Sequence, residues 1–345
     1  MQYAQNYSLV KQSVEMRKLA SIQKIKALEL IEGANAIEKA QVLGWQLVVK
    51  KGEYKEGDLC VYCEIDSILP DKPEFEFLKP RKMRIKTIKL RGQVSQGICF
   101  PLSIIPEGIK IEEGFNLSEI LGVKKFEPPI PACLEGKMKG RFPSFIPKTD
   151  EPRIQIWEEI IDRNKGEKCY ITEKIDGSSA TYFIKDDEFG VCSRNLELYE
   201  DSENSFWKVA REQDIEKKLR TLNGNFALQG ELVGENIQSN TLKLRGQDVF
   251  FFNIFDIDRY RYLDYKELFE TLKQLDLKAV PLVQDDYILR NDTNELVELS
   301  IGKSLINKDG WREGIVIRSL TEKRVGSGER FSFKVVNPKF LLKYD

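Results

Sequence analysis

Histidine is absent from all 345 residues of the chain. Its absence excludes Ser-His-Asp and Cys-His catalytic groups and removes the side chain that most often acts as a general base. Any catalysis must therefore rely on lysine, carboxylates, hydroxyl groups or a bound metal. Cys60 and Cys63 form one Cys-x-x-Cys pair, but no second pair and no histidine is present to complete a zinc site.

The chain also lacks a long apolar run, a signal sequence and an excess of charge. No segment is apolar enough to span a bilayer, and the first residues carry no cleavage signal, which predicts a cytoplasmic protein with no membrane partner. Lys+Arg number 54 and Asp+Glu 55, so only local basic patches could attract nucleic acid. The six cysteines are scattered, which favours reduced thiols.

The length and the distribution of proline predict two domains. Residues 1 to about 18 are predicted to be a helix or a loose arm, and the short strands with glycine turns that follow predict that residues 1–127 are an OB-like β-barrel domain. Residues 128–154 contain six prolines and are predicted to be a linker, because proline at this density disrupts helices and central strands. Residues 155–345 are predicted to be an α+β domain of antiparallel sheets and helices.

Hydrophobic periodicity places the elements of the second domain. Helices are predicted at residues 202–222, 265–277 and 295–306. Strands are predicted at residues 225–237, 248–260, 311–319 and 330–342.

The segment CYITEKIDG contains the first candidate for chemistry. Strand alternation puts Tyr170, Thr172 and Lys174 on one face, and Asp176-Gly177 forms a turn that leaves Lys174 open to a ligand. A lysine becomes a nucleophile where nearby cations or burial disfavour its ammonium form. Taken alone, Lys-x-Asp-Gly more often marks a solvated strand end, since short motifs have high false-positive rates.

Further candidates follow along the chain. They are charged or aromatic residues beside glycines or strand ends, namely Arg194, Glu231, Phe255, Glu313, Lys334 and Lys339. Each alone has an ordinary explanation, such as a surface carboxylate, a core aromatic or a sheet-edge charge.

Taken in order, these segments resemble the motifs of the covalent nucleotidyltransferase superfamily over residues 170–340. That superfamily contains ATP-dependent DNA and RNA ligases and GTP-dependent mRNA capping enzymes. The chain is most similar to RNA ligases that carry an OB-like domain before the nucleotidyltransferase (ATP-grasp-like ligase) domain. DNA ligases and capping enzymes usually place their OB domain after the catalytic domain, which argues against both.

The resemblance implies a role for each matching residue. Lys174 would be the catalytic nucleophile. Asp176, Glu231 and Glu313 would hold Mg²⁺ or Mn²⁺. The contacts to ATP would come from Arg153, Thr172, Glu173, Arg194, Glu231, Phe255, Lys334 and Lys339, with Phe255 stacking on adenine and Lys334 at the α-phosphate.

Two departures from the family pattern concern these roles. Many relatives have two lysines separated by one residue in the last motif, whereas Lys334 has only Ser332 and Val336 at that spacing. Two alternatives follow: Lys339 substitutes for the second lysine, or one lysine suffices. Some RNA ligases have an asparagine where this chain has Ser179.

The resemblance implies an ATP-dependent RNA ligase that joins 3′-hydroxyl and 5′-phosphate ends, including those of a nicked duplex, through lysyl-AMP and RNA-adenylate in RNA repair. The alternatives are DNA ligation, GTP-dependent capping, and a non-enzymatic OB protein that binds nucleic acid.

Overall fold

A computed structural model describes residues 18–126, 137–326 and 328–344. Within this part, the residues up to 126 together with 342–344 form one compact unit, and residues 137–341 form a second. Residues 1–17, predicted to be a helix or a loose arm, and Pro128, Pro129 and Pro131 of the predicted linker lie outside the described residues. Residues 137–154, which were also assigned to the linker, belong to the second unit.

The first unit contains nine short strands, two 3₁₀ helices (Pro73–Arg81 and Leu102–Ile104) and a one-turn helix, α1 (Ser118–Leu121). The strands are β1 (Ala20–Leu30), β2 (Ile37–Val42), β3 (Trp45–Lys50), β4 (Leu59–Cys63), β5 (Ser67–Ile68), β6 (Ile88–Leu90), β7 (Gln93–Ser95), β8 (Ile98–Phe100) and β9 (Lys124–Lys125).

Five of these strands form an antiparallel sheet in the order β3-β2-β1-β4-β8. A register shift between Ile25 and Ala27 interrupts β1 where it pairs with β2, and a bulge of this kind bends a strand. Alternate residues of β2 and β3 are buried, as expected for a sheet with one covered face. Trp45 and Tyr62 are fully buried in this unit.

The second unit contains thirteen strands within the described residues. They are β10 (Met138–Arg141), β11 (Lys168–Lys174), β12 (Ser178–Lys185), β13 (Glu188–Cys192), β14 (Leu196–Leu198), β15 (Phe226–Gly234), β16 (Gln247–Asp256), β17 (Arg261–Tyr262), β18 (Leu282–Ile288), β19 (Gly314–Ser319), β20 (Arg324–Val325), β21 (Glu329–Arg330) and β22 (Ser332–Val336).

A 3₁₀ helix (Ile154–Ile156) and six α-helices accompany these strands. The helices are α2 (Glu158–Arg163), α3 (Ser205–Glu212), α4 (Ile215–Arg220), α5 (Tyr265–Gln274), α6 (Thr293–Ser300) and α7 (Pro338–Tyr344). Asn204 caps α3 and Asp292 caps α6 by accepting backbone N–H bonds, which explains where both helices begin. No helix in the described ranges has the length and apolar character needed to cross a membrane.

Two antiparallel sheets organise this unit. One has seven strands in the order β10-β14-β13-β12-β15-β16-β17, and the other has four in the order β18-β11-β19-β22. Apolar residues of α3, α4 and α5 pack against the larger sheet, whereas those of α2 and α6 pack against the smaller one. The chain passes from the smaller sheet to the larger one between β11 and β12.

The structure corrects two predicted elements. The helix predicted over 295–306 ends at Ser300, and residues 301–313 form a loop. The strand predicted over 330–342 ends at Val336, and Pro338 begins α7. Both corrections occur where proline or glycine lies near an element end, positions that single-sequence patterns place poorly.

Candidate active site

Lys174 is the last residue of β11, at the crossing from the smaller to the larger sheet. The turn through Asp176 and Gly177 carries the chain into β12. A Cβ at Gly177 would lie 2.4 Å from the carbonyl oxygen of Leu232, so only glycine allows this turn to lie so close to β15. The glycine of the Lys-x-Asp-Gly motif is therefore required by packing at the crossing.

Glu313 lies directly beside Lys174. The Nζ atom of Lys174 donates to Oε2 of Glu313 at 2.6 Å. Lys174 pairs with Gly314 across the sheet, and a Cβ at Gly314 would lie 2.2 Å from the carbonyl oxygen of Val335 in β22. The absence of a side chain at Gly314 thus lets three strands meet at the position where Glu313 reaches the lysine.

Two more carboxylates belong to the same cluster. Burial and the charges of Glu313 and Asp176 raise the pKa of Glu231 to about 8, although Lys174 acts in the opposite direction. Burial and Glu313 raise the pKa of Asp176 to about 6, and Thr241 Oγ1 donates to its Oδ2 at 3.0 Å. Burial favours the neutral amine of Lys174, yet Glu313 and Glu231 outweigh it and raise the pKa of the lysine.

Two cations, Lys334 and Arg153, lie across the smaller sheet from Thr172. Thr172 and Lys334 both pair with Val316, from opposite sides. The backbone of Arg153 forms an isolated parallel β-bridge with that of Lys334. The backbone N–H of Lys334 donates to the carbonyl of Pro152 at 2.8 Å. Burial, Arg153 and Lys174 lower the pKa of Lys334 to about 7. The structure thus brings the linker arginine predicted from the resemblance next to Lys334.

Arg194 and Thr172 also lie near this cluster. Arg194 Nη2 donates to Oδ1 of Asp150 at 2.5 Å and lowers the pKa of Glu231. The hydroxyl of Thr172 is buried and accepts a hydrogen bond from Arg318 Nη1 at 3.4 Å. Of the predicted site residues, Lys174, Asp176, Glu231, Glu313, Lys334, Arg153, Arg194 and Thr172 therefore lie in one region.

The structure buries Phe255, for which the resemblance implies stacking on adenine. This residue is 0% exposed and packs in a core cluster that includes Phe183 and Tyr262. Asp256 accepts the backbone N–H of Arg259 at 2.9 Å, which shows that this Phe-Asp pair shapes the end of a hairpin.

On the same strand, Phe252 is half-buried, as is Phe250, whereas Phe251 and Phe255 are buried. Phe252 lies at a bulge, because Gly230 pairs with Phe251 and Gln229 pairs with Asn253, which leaves Phe252 without a partner residue. The Arg318 guanidinium lies 5.8 Å from the centre of its ring. The apolar run FFFNIF gave no signal to distinguish Phe252 from Phe255, since almost every residue in it is hydrophobic.

Glu173 and Lys339 occupy positions other than those predicted. The Glu173 carboxylate accepts the backbone N–H of Leu305 at 2.7 Å, on the opposite face of β11 from Lys174. Lys339 Nζ lies 5.1 Å from the centre of the Trp311 ring, and the charges that act most on Lys334 do not include it. Neither side chain joins the Lys174 cluster.

The three predicted metal ligands fit a hydrated cation better than a bare one. Glu313 is close enough to raise the pKa values of both Asp176 and Glu231, and Asp176 also raises that of Glu231; oxygen ligands of this kind suit Mg²⁺ or Mn²⁺. In the part of the chain that the structure describes, no three potential ligands converge tightly enough to enclose an ion directly. The residues therefore suit a cation that keeps several of its waters.

Sequence patterns missed the ionic network beneath this cluster. Arg318 is 2% exposed and donates to Glu151 Oε1 at 3.1 Å. Arg330 lies 4.0 Å from the same carboxylate and also pairs with Glu322. Glu151 lies 167 residues before its hydrogen-bond partner Arg318, so no local spacing could have indicated the whole network.

Comparisons with known proteins agree with this architecture. An RNA ligase family model matches residues 167–336, and an OB-fold domain model matches residues 19–102. The predicted order of an OB-like domain followed by a ligase domain is thereby confirmed. No curated protein matches the sequence.

Solved structures of a similar protein match almost the whole chain. An apo form of Naegleria gruberi RNA ligase is 42% identical, with 94% of this chain and 97% of that chain covered and a TM-score of 0.85. A form of the same ligase with ATP and Mn gives 42% identity, 94% and 98% coverage and a TM-score of 0.86. A form with PPi gives 42% identity, the same coverage and a TM-score of 0.85.

Proposed function

The chain belongs to the RNA ligase family, and from this premise we propose that it joins RNA 3′-hydroxyl and 5′-phosphate ends with ATP. The observation that supports the proposal most strongly is the half-buried Lys174 ammonium held 2.6 Å from Glu313 among carboxylates of raised pKa. Such groups mark functional sites, because a fold rarely retains uncompensated charge without a use for it.

In the first step, the Lys174 amine attacks the α-phosphorus of ATP. A phosphorus–nitrogen bond forms, the bond to pyrophosphate breaks, and lysyl-AMP results. The amine must first lose a proton, and Glu313 Oε2 is the nearest acceptor. Lys334 and Arg153 lie where they would stabilise charge on the transferring phosphate.

Asp176, Glu231 and Glu313 would hold Mg²⁺ or Mn²⁺ through its water shell. The bound cation would neutralise phosphate charge and weaken the pull of the carboxylates on the lysine proton. The similar Naegleria gruberi ligase has been solved with ATP and Mn, which supports this pair of ligands for the present chain.

For the nucleotide base, we propose Phe252 in place of Phe255. The half-buried Phe252 ring lies near the Arg318 guanidinium, which in turn donates to Thr172 two residues before the nucleophile. An adenine stacked on this ring would extend toward Val316, which lies between Thr172 and Lys334 in the sheet.

In the later steps, the 5′-phosphate of one RNA end attacks the phosphorus of lysyl-AMP, the phosphorus–nitrogen bond breaks, the Lys174 amine leaves, and RNA-adenylate forms. The 3′-hydroxyl of the other end then attacks the 5′-phosphate, and AMP leaves. This sequence suits RNA repair, with a nicked duplex as one substrate. The free thiols of the five described cysteines fit the reducing environment of the cytoplasm.

The test is covalent labelling with α-³²P-ATP and, separately, α-³²P-GTP, each with Mg²⁺ or Mn²⁺, followed by a denaturing gel. Labelling with ATP should be lost in Lys174→Met and retained in Lys168→Met, an exposed lysine on the same strand. The loss should be at least about 10⁴-fold, because a covalent intermediate cannot form without its nucleophile.

Substrate choice is tested with nicked duplexes and single strands that carry RNA or DNA ends. We expect sealing of RNA 3′-hydroxyl and 5′-phosphate ends. Labelling by GTP alone would instead indicate capping, and preferential sealing of DNA ends would indicate DNA ligation. Absence of label from folded protein stripped of bound AMP would leave the nucleic-acid-binding alternative.

A further inference from the structure

The loop between α6 and β19 carries an unusual group of side chains. It begins where the predicted helix fails to continue, after Ser300, and it is closed by backbone hydrogen bonds. The N–H of Arg312 donates to the carbonyl of Gly302 at 3.0 Å, and that of Ser304 donates to the carbonyl of Gly310 at 3.1 Å. These bonds close the loop into a fixed turn.

Contacts on two sides tie the loop to the Lys174 cluster. The N–H of Leu305 donates to Glu173, the residue before Lys174, at 2.7 Å. Asn307 Nδ2 donates to the carbonyl of Thr241 at 3.0 Å, and the Thr241 hydroxyl donates to Asp176. The loop is therefore held at a fixed position relative to the nucleophile.

The start of α7 is tied to the same place. Asn337 is fully buried; its N–H donates to the carbonyl of Glu313 at 2.8 Å, and its Nδ2 donates to that of Arg312 at 2.9 Å. Its Oδ1 accepts the N–H of Lys339 at 2.9 Å. Lys339 is thereby positioned against the residues that carry Glu313.

Two cations converge on one indole ring here. Lys303 Nζ lies 4.7 Å and Lys339 Nζ lies 5.1 Å from the centre of the Trp311 ring. Both lysines are exposed, and neither forms a salt bridge with any residue in the described ranges. Besides the ring, Lys303 Nζ contacts the carbonyl of Asp309, to which it donates at 2.8 Å.

Cation–π attraction can hold each ammonium near the ring, but the two positive charges repel each other. An anion bound beside the ring would reduce that repulsion and could accept hydrogen bonds from the ammonium groups. Phosphate is the anion that this enzyme handles, and a lysine pair is suited to it. The arrangement is therefore complementary to a phosphate group.

We infer that Lys303, Trp311 and Lys339 form a binding site for a backbone phosphate of the RNA strand, next to the reacting end. The inference rests on the proposed RNA ligase function. The phosphates of ATP are the other source of the same chemistry, but Arg153 and Lys334 already lie beside Lys174 for those. The charges that act most on Lys174 include neither Lys303 nor Lys339.

The test compares the double variant Lys303→Gln/Lys339→Gln with the control Lys217→Gln/Lys273→Gln. The control removes two exposed lysines of α4 and α5 and changes the net charge equally. Affinity for a dye-labelled nicked RNA duplex is measured by anisotropy without ATP, over a range of salt concentrations. Formation of lysyl-AMP is measured separately, without RNA.

We expect the double variant to bind RNA roughly tenfold more weakly than wild type, since charge-assisted hydrogen bonds to the phosphate are lost. The slope of log Kd against log salt concentration should become shallower by about 1. The KM for ATP in lysyl-AMP formation should be unchanged, and the control pair should match wild type within about twofold. Trp311→Phe should retain most of the affinity that Trp311→Leu loses, because phenylalanine keeps a π face.

Intrinsic fluorescence gives a second readout that does not require the Trp311 variants to fold. The other three tryptophans, Trp45, Trp157 and Trp207, are buried. An RNA-dependent change in emission should therefore arise from Trp311, and it should be absent in the lysine double variant, which keeps the ring.

Unchanged RNA affinity and salt slope in the double variant, an equal loss in the control pair, or a raised KM for ATP would each overturn the inference. Failure of the wild-type protein to form lysyl-AMP or to seal RNA would instead refute the proposed function. The two failures are thus distinguishable.

Discussion

Two ionic clusters of the second unit lie close together and differ in how their charges are matched. In the network of Glu151, Arg318, Arg330 and Glu322, each cation has a carboxylate partner, and Arg330 also donates to Asn253 at 2.8 Å and lies 3.8 Å from the ring centre of Tyr262. In the Lys174 cluster, half-buried carboxylates lie close enough to raise the pKa of Glu231, and the charge of Lys174 lowers the pKa of Lys334.

This difference distinguishes charged residues that stabilise the fold from charged residues that are suited to bind a ligand. The pKa of Arg330 is raised, because the carboxylates of Glu322 and Glu151 outweigh the effect of its burial. Glu231 and Lys334 instead have pKa values shifted toward their neutral forms, chiefly by burial. A matched buried network holds the fold, whereas an unmatched one is ready to receive a charged ligand.

The largest effect on stability should come from breaking the matched network. Glu151→Ala would leave the buried Arg318 without its carboxylate and should lower the free energy of unfolding by about 3–5 kcal/mol. The control Glu159→Ala removes an exposed partner of Arg163 and should cost less than about 1 kcal/mol. Denaturant unfolding measures both, and equal effects would contradict the assignment of the network to stability.

Removing a charge from the Lys174 cluster should instead raise the stability of the folded protein. Burial raises the pKa of Glu231 from its usual value of 4.5 to about 8. The folded state therefore holds a proton that the unfolded state has lost, and the stability of metal-free protein falls as pH rises from 4.5 to 8.

Glu231→Gln removes this penalty. Above pH 8 the variant should be more stable than wild type by a few kcal/mol, roughly 2–3, while it fails to form lysyl-AMP. The advantage should shrink as pH falls toward 4.5. Thermal unfolding in EDTA across this range is the measurement, and a variant less stable than wild type at pH 9 would count against the account.

A smaller effect concerns the pH dependence of nucleotide binding. Burial and neighbouring cations lower the pKa of Lys334 to about 7, and a bound phosphate should raise it again. Above pH 7 the free enzyme must take up a proton to bind, so the Kd for a non-reactive α,β-methylene analogue of ATP should rise by up to about tenfold per pH unit. Calorimetry should show this rise in wild type and a flatter profile in Lys334→Arg. A flat wild-type profile would contradict the role of Lys334.

The ordered motifs made most of the candidate site predictable. Lys174, Asp176, Glu231 and Glu313 each lie beside a glycine or a turn, and the packing of Gly177 and Gly314 explains why those glycines accompany them. The strands and helices that carry them follow clear periodicity. Arg153, which has no motif of its own around it, could be predicted only from the resemblance.

Other features depend on three-dimensional registration that no local pattern contains. The bulge opposite Gly230 decides that Phe252 rather than Phe255 is the more exposed ring. The turn into α7 carries Lys339 to Trp311. In each case a tertiary contact overrides what residue type and spacing suggest.

The most direct test of the account is peptide mapping by mass spectrometry after incubation with ATP and Mn²⁺ and no RNA. The account predicts one AMP, in an acid-labile and alkali-stable phosphoramide bond, on the peptide that contains Lys174 and on no other lysine. AMP attached elsewhere, or none on a protein that seals RNA with ATP, would contradict the assignment of Lys174 as the nucleophile.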